Sequence, residues 1–292
     1  MPNAVLQINT LLLGDNLEHL HSLPDACVDL VYLDPPFFSN RHYSVVWGDA
    51  GEVRSFSDKW AGGIEEYIAW LKVRVQEMYR VLKPTGSLFL HCDHHANAYI
   101  RVQILDPIFG IQNFRNEIIW CYKSPSNTKK YFPSKHDTIF RYSKTALFTF
   151  NKTAVLIDYD ALTLERRRYA ETRSKGIPFK GKAFEVYLKG HLPNDWWDDI
   201  PAGGQMSKYE RMGYPTQKPE KLLARIIAVA SNAGDLVLDP FVGGGTTVVV
   251  AQRLGRQWLG IDSSSKALQV TTQRLQALES AEFGLAFELK FP

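Results

Sequence analysis

Cysteine is nearly missing from this chain of 292 residues. The three present, Cys27, Cys92 and Cys121, are odd in number and show no Cys-x-x-Cys spacing, so neither a disulfide framework nor a zinc ribbon is indicated. No apolar stretch reaches the length of a membrane span. The start, Met1-Pro2-Asn3-Ala4-Val5, lacks the basic residues and apolar core of a secretion signal, so a soluble, cytoplasmic protein is expected. There is no internal repeat and no low-complexity tract. Net charge is small, at +3, and taken whole says little about partners. What is plentiful is apolar material, 45% of residues, enough for one large α/β domain with a long insert.

The distribution of charge is more telling than its sum. Between Lys123 and Lys189, fifteen Lys and Arg stand against six Asp and Glu, a local excess of nine on a chain whose total is +3. Aromatics are interleaved there, among them Tyr131, Phe132, Tyr142, Phe148 and Tyr169. A basic segment on an acidic body suggests a polyanion bound at one face, although a solvated surface carries similar charge runs. The candidate phosphate contacts are Lys129, Lys130, Arg166, Arg167, Arg168, Arg173 and Lys175.

Two motifs carry chemistry. The apolar run Cys27 to Leu33 reads as a buried strand and ends in Asp34-Pro35-Pro36-Phe37. Prolines remove N–H donors but keep carbonyls. This corner therefore offers a carboxylate, bare carbonyls and an aromatic face, a receptor for a flat group bearing an NH2. Asp-Pro-Pro is also a common turn, so the second motif decides. Leu236-Val237-Leu238-Asp239-Pro240-Phe241-Val242-Gly243-Gly244-Gly245-Thr246-Thr247 runs from strand through a glycine turn into a helix. That is the geometry of a nucleotide-binding crossover. A further strand, Gln257 to Ile261, ends in Asp262, placed to accept ribose hydroxyls. Asp239 would repel a pyrophosphate and welcome an ammonium, which suits S-adenosylmethionine.

These residues resemble the DNA amino-methyltransferases, which move a methyl group from S-adenosylmethionine to N6 of adenine or N4 of cytosine. The catalytic motif precedes the cofactor motif, as in the beta class of that family, a circular permutation of the usual methyltransferase. Gly14-Asp15-Asn16, Leu82 to His91, Asn116 to Trp120, Lys135 to Ile139 and Tyr214-Pro215-Thr216-Gln217-Lys218-Pro219 resemble further family segments in the family's order. The resemblance implies a Rossmann-like, doubly wound, circularly permuted sheet. Residues 1–144 would form its catalytic half, 145–212 an inserted target-recognition region and 213–292 its cofactor half. It implies Asp34, Pro35, Pro36 and Phe37 as the catalytic corner, with Phe37 replacing a commoner Tyr. Asp15, Asn16, Asp34, Thr216, Lys218, Asp239, Phe241, Gly243, Gly245, Thr246 and Asp262 would line the cofactor. Asp at the first catalytic position leans to adenine in duplex DNA, with base flipping. N4-cytosine, an RNA substrate and a catalytically inactive recognition subunit stay open as alternatives. A homodimer and a cognate restriction endonuclease are possible partners under the same resemblance.

Other chemistries are disfavoured. Cytosine C5 methylation needs a thiolate, usually in a Pro-Cys pair, and no cysteine here follows proline. His91-Cys92-Asp93-His94-His95 looks like a metal site, but neighbours on a strand point to opposite faces, so no metal is expected. His136-Asp137 is not read as a catalytic pair on the same ground, and His136 is either structural or a polar contact near the target base. Trp196-Trp197 is either a stacking platform or packing. Strands are expected at 5–13, 28–33, 87–91, 116–123 and 136–143, with helices at 15–23, 64–82, 96–109, 220–230 and 264–280. Phe38 to Gly63 reads as one long loop over the site.

Overall fold

In the computed structural model, residues 6–39, 42–47, 52–122, 128–165, 190–206, 210–212, 214, 216–281 and 288–290 are described. The first crossover runs from β1 (Thr10–Leu13) through α1 (Asn16–Ser22) into β2 (Val28–Leu33). Asp15 caps α1 by accepting from the Leu17 N–H at 2.7 Å. Apart from Asp29, which accepts from Lys83 and the Leu236 N–H, β2 is apolar on both faces, as a strand inside a parallel sheet is expected to be. Leu30 and Tyr32 enter one core while Val31 and Leu33 enter the other, which is the two-residue period of a strand.

The first face is covered by α1, α2 (Gly63–Val81), α3 (Asn97–Ile100) and α4 (Asp106–Phe109), the last two joined by a π-helical turn. The opposite face is covered by α5 (Glu220–Ala230), α6 (Thr246–Arg253) and α7 (Ser265–Ala281). Between them lies a nine-stranded sheet in the order β11-β1-β10-β9-β2-β5-β7-β6-β8. Its remaining strands are β5 (Leu82–Cys92), β6 (Phe114–Cys121), β7 (His136–Ser143), β8 (Trp196–Trp197), β9 (Leu236–Asp239), β10 (Gln257–Asp262) and β11 (Glu288–Lys290). β7 is antiparallel to both neighbours, and the other pairings are parallel. The fold is the Rossmann-like, doubly wound sheet the resemblance implies. β9 and β2, more than 200 residues apart in the chain, are hydrogen-bonded neighbours at Leu30↔Val237 and Val31↔Leu238. That adjacency is the permutation made visible.

Two expectations need correction. Phe38 to Gly63 is not one loop: β3 (His42–Trp47) and β4 (Glu52–Ser57) form an antiparallel hairpin apart from the main sheet. Cross-strand pairing satisfies a backbone that an irregular loop would leave bare. The strand expected at 87–91 starts earlier: Lys83-Pro84-Thr85-Gly86 lies inside β5, whose partners jump from Val28↔Leu82 to Leu30↔Ser87. Of the two readings left open for Trp196-Trp197, packing holds for Trp197, which is buried with the Arg225 guanidinium 4.9 Å from its ring, while Trp196 is 56% exposed. Among the described residues, no helix is long and apolar enough to cross a membrane.

Candidate active site

Parallel strands deliver their carboxyl ends to one edge, so Asp15, Asp34, Asp239 and Asp262 all arrive there, just past or at the ends of β1, β2, β9 and β10. β5 adds His91 and Asp93 at the same edge, and the antiparallel β7 begins there with His136 and Asp137. One cleft therefore holds both motifs.

Asp34 sits where β2 stops, mostly shielded from solvent. Its Oδ2 accepts a short, charged hydrogen bond from the Lys218 ammonium. Its Oδ1 is buried and has no partner among the described residues. Lys218 also stands 5.1 Å from the centre of the Phe37 ring, a cation–π contact. Lys218 is thus not the surface lysine its position beside a proline suggests. Its backbone carbonyl accepts from Thr246 Oγ1 at 3.0 Å, which ties this segment to the exit of the glycine turn. Thr216 is exposed and takes φ +60°.

The corner itself is clamped. The Tyr67 hydroxyl donates to the Pro36 carbonyl at 2.7 Å. Phe38 adopts φ +59°, costly for a side chain of this size, and Asp58 holds it there. That carboxylate accepts from the Phe38 and Ser39 N–H groups at 3.1 and 2.7 Å and from the Trp60 indole at 3.1 Å. Phe37 lies against His91, ring centres 5.5 Å apart.

The glycine turn is held from three sides. The Asp262 carboxylate accepts from the Gly243 N–H at 2.9 Å and from the Ser264 N–H at 2.8 Å. Burial pushes its pKa up. Thr271 donates to the Gly243 carbonyl at 3.0 Å, and the buried Arg274 donates to the Gly244 carbonyl at 2.5 Å and to Glu220 at 2.9 Å. Asp239 is 3% exposed. Burial raises its pKa, the Thr247 hydroxyl and the Phe241 N–H lower it, Asp34 and Asp262 raise it again, and it settles at about 7. A buried carboxylate facing two others is a place for a cation, and the ammonium and sulfonium of S-adenosylmethionine fit that demand. Gly243 and Gly245, at φ +49° and +76°, keep the backbone open beside it.

Asp15 and Asn16 act through a residue that sequence reasoning missed. Arg74, 6% exposed on the apolar face of α2, donates to Asp15 at 2.6 and 2.9 Å and to Asn16 Oδ1 at 2.8 Å. Asn16 passes the contact on by donating to the Pro240 carbonyl at 2.8 Å. Phe241 packs on Trp70, ring centres 5.8 Å apart. The signal was a charge between Leu71 and Val75, both fully buried.

A second missed element lies behind Phe37. The fully buried His91 bonds the Tyr32 hydroxyl through Nδ1 at 2.9 Å and Asp137 through Nε2 at 3.2 Å, and Tyr122 donates to the same carboxylate at 3.2 Å. Burial pushes the Asp137 pKa up, but the hydrogen bond and electrostatics of His91, the Lys218 charge and the Tyr122 hydrogen bond together outweigh it and leave it below the usual range. Side chains that diverge within one strand have met across two. The strand argument also stops where the strand does: past Cys92, the ligand atoms of Asp93, His94 and His95 lie within 4.8 Å of one another, with Asp93 and His95 bonded at 2.7 Å. Of the candidate phosphate contacts, Lys129 and Lys130 are exposed on the connection between β6 and β7, which leaves from the cleft edge. Arg166, Arg167, Arg168, Arg173 and Lys175 lie outside the described residues.

With this geometry in hand, a family model described as DNA methylase, covering the N6 and N4 amino-methyltransferases, matches residues 28–273. The chain belongs to this DNA methylase family. It is a DNA methyltransferase, and similar proteins span most of its length. It is 32% identical over 271 residues to the DNA adenine methyltransferase YhdJ of Escherichia coli K12, covering 92% of this chain and 83% of that protein. It is 27% identical over 268 residues to the type II methyltransferase M.HpaI of Haemophilus parainfluenzae, covering 91% of this chain and 74% of that one. Among solved structures, the PvuII DNA methyltransferase, cytosine-N4-specific, superposes with TM-score 0.63 at 19% identity over 93% of this methylase and 90% of that chain. The M1.HpyAVI–SAM complex follows at TM-score 0.56 and 19% identity, over 91% and 98%. At such identities the structural likeness speaks for the fold.

Proposed function

We propose that this methylase transfers a methyl group from S-adenosylmethionine to the exocyclic N6 of adenine at a specific site in duplex DNA. The observation that carries the reading is the orphan oxygen of Asp34. A buried carboxylate oxygen with no donor is costly to keep, and it stands beside an aromatic face at the mouth of a cofactor turn. An incoming NH2 would satisfy it. The name of the E. coli relative supports adenine.

An aromatic amine is a weak nucleophile because its lone pair is delocalised into the ring. Asp34 and the Pro35 carbonyl would accept its two hydrogens, favour a pyramidal nitrogen and aim its lone pair. Phe37 would stack on the base. Bound S-adenosylmethionine supplies an electrophilic methyl on a sulfonium. Asp239 would face its cationic part, Gly243, Gly245 and Phe241 would shape its cleft, and Thr246 with Thr216 would border it. Asp262, Asp15 and Asn16 would hold the turn and the adenosine end in place. The gain is positioning and preorganised charge. A target inside a duplex has to be extruded first, and Lys129 and Lys130 with the arginine-rich run 165–173 would hold the phosphates. The division into a catalytic half at 1–144, a recognition region at 145–212 and a cofactor half at 213–292 belongs to the same reading. So do a homodimer, a cytoplasmic site of action and a companion endonuclease, the last motivated by the type II designation of the Haemophilus relative.

Sequencing modified bases in DNA from cells that express the protein tests target base and recognition site together. Methyl groups at N4 of cytosine would overturn the adenine assignment, and unmodified DNA would overturn the activity.

Two further results are expected. Lys218 is bonded to Oδ2 of Asp34 and so fixes the carboxylate with Oδ1 left for the amine. Lys218→Met should release that orientation and raise the KM for the recognition duplex several-fold. An unchanged KM in a folded variant would mean that Lys218 does not orient Asp34. Asp239 titrates near 7, above its unfolded value of 3.8. Its stabilising contribution is therefore complete below pH 4 and lost as pH rises through 7. A cation beside it favours the carboxylate, so cofactor binding should expel a proton. Affinity for S-adenosylmethionine should rise between pH 6 and 8, by at most about tenfold per unit. Asp239→Asn should flatten that profile in calorimetry.

A further inference from the structure

A cavity of about 180 Å³ lies on the α5 side of the sheet, between the β5–β7–β6 strands and the two flanks of the 145–212 segment. Its floor includes Arg141, paired in register with Phe89 across β5 and β7. Arg141 is 4% exposed, its Nε is buried without a partner, and its Nη2 reaches only the Thr149 carbonyl at 3.4 Å. It makes no ion pair among the described residues, although Asp195 belongs to the same lining. Burial and the nearby Arg115 charge bring its pKa down to about 10, so it is still a cation at neutral pH.

Rings surround this charge. Phe150, Phe148 and Phe89 lie 4.7, 5.1 and 5.5 Å from the guanidinium carbon. Cation–π contacts recover only part of what an ion loses on leaving water. A buried cation without a carboxylate, opening into a cavity, calls for an anion from solution. The second guanidinium of the lining, Arg225, is already bidentate on Asp199 at 2.9 and 2.6 Å. Among the described residues of the lining, that leaves Arg141 as one positive charge without an ion pair, which matches a monoanion better than a phosphate dianion. Most of the remaining lining is apolar, and the volume is too small for a nucleotide.

We propose that this cavity binds a small organic carboxylate with an apolar body, and that Arg141 is its counter-charge. Phe150 and Val155 come from one flank of the 145–212 segment and Leu192 and Trp197 from the other. A ligand there would clip both flanks to the sheet. The proposal is independent of the methyl-transfer reading.

Benzoate is the probe, titrated into the full-length chain by calorimetry and thermal unfolding, with benzamide and inorganic phosphate as parallel arms. Saturable benzoate binding with a raised unfolding midpoint is expected, with benzamide and phosphate inert. Arg141→Met keeps the length of the side chain among the rings and gives up the charge with one long hydrogen bond, so its unfolding midpoint is followed alongside binding. It should weaken benzoate about tenfold or more and leave S-adenosylmethionine binding unchanged. Leu192→Trp, at a 40% exposed position, fills the cavity with the arginine intact and should also lose benzoate. Failure of wild-type protein to bind benzoate, equal binding of benzamide, tighter binding of phosphate, or unaltered benzoate affinity in either variant would each overturn the proposal.

Discussion

Asp34→Ala is expected to lower methyl transfer by about 10³-fold or more, the scale on which a single preorganised polar contact acts in other active sites. Cofactor affinity should not weaken. The reason is the division of labour at the cleft edge. Asp34 faces the amine seat, while the glycine turn is held by Asp262, Thr271 and Arg274, none of which touches Asp34 in the structure. The variant also leaves the Lys218 ammonium without its partner, so unfolding must be followed alongside turnover. Radiolabelled transfer and calorimetric titration of the cofactor separate the outcomes. An equal loss of both would mean that the acid supports the cofactor and that another group receives the amine.

Gly245→Ala should be the most damaging small change in the turn. Gly245 takes φ +76°, and a Cβ there would lie 2.5 Å from Thr271 Cγ2 and 2.6 Å from its Oγ1. Thr271 cannot step aside freely, because its hydroxyl holds the Gly243 carbonyl at 3.0 Å from the fully buried face of α7. Left-handed strain, overpacking and a broken hydrogen bond together should cost about 3 kcal/mol or more and open the cofactor cleft. Gly234 supplies the control. It has φ +82° but nothing within 4 Å of its added Cβ, so Gly234→Ala should cost only the backbone strain, about 1–2 kcal/mol. Urea unfolding of the pair gives the difference directly. Equal losses would show that α7 does not brace the turn.

The legibility of this protein in its sequence follows a physical line. Elements whose pattern is local were readable. β2 matched residue for residue, because a strand buried on both faces is apolar but for Asp29 near its start, and two prolines end it. α5 matched as well, with a proline before its first residue and an amphipathic run behind it. The hairpin at 42–57 was not readable, since its pairing depends on a partner strand rather than on periodicity. The same limit hid Arg74. A lone arginine on an apolar helix face has no local explanation until Asp15, almost sixty residues earlier, is brought beside it. His91 and Asp137 were each noticed inside the wrong cluster. Their bond joins β5 to β7 and cannot be read from either strand.

By itself the sequence determined the fold class, the order of the motifs and the residue types available for the chemistry, because strand and turn signals are properties of neighbouring residues. Only the tertiary structure decided which oxygen of Asp34 is taken by Lys218 and which is left bare, how far Asp239 is driven toward neutrality, and that Arg141 is buried without an anion among the described residues. Those outcomes depend on burial and on the approach of charges distant in the chain, and both are set only when the sheet has closed around them.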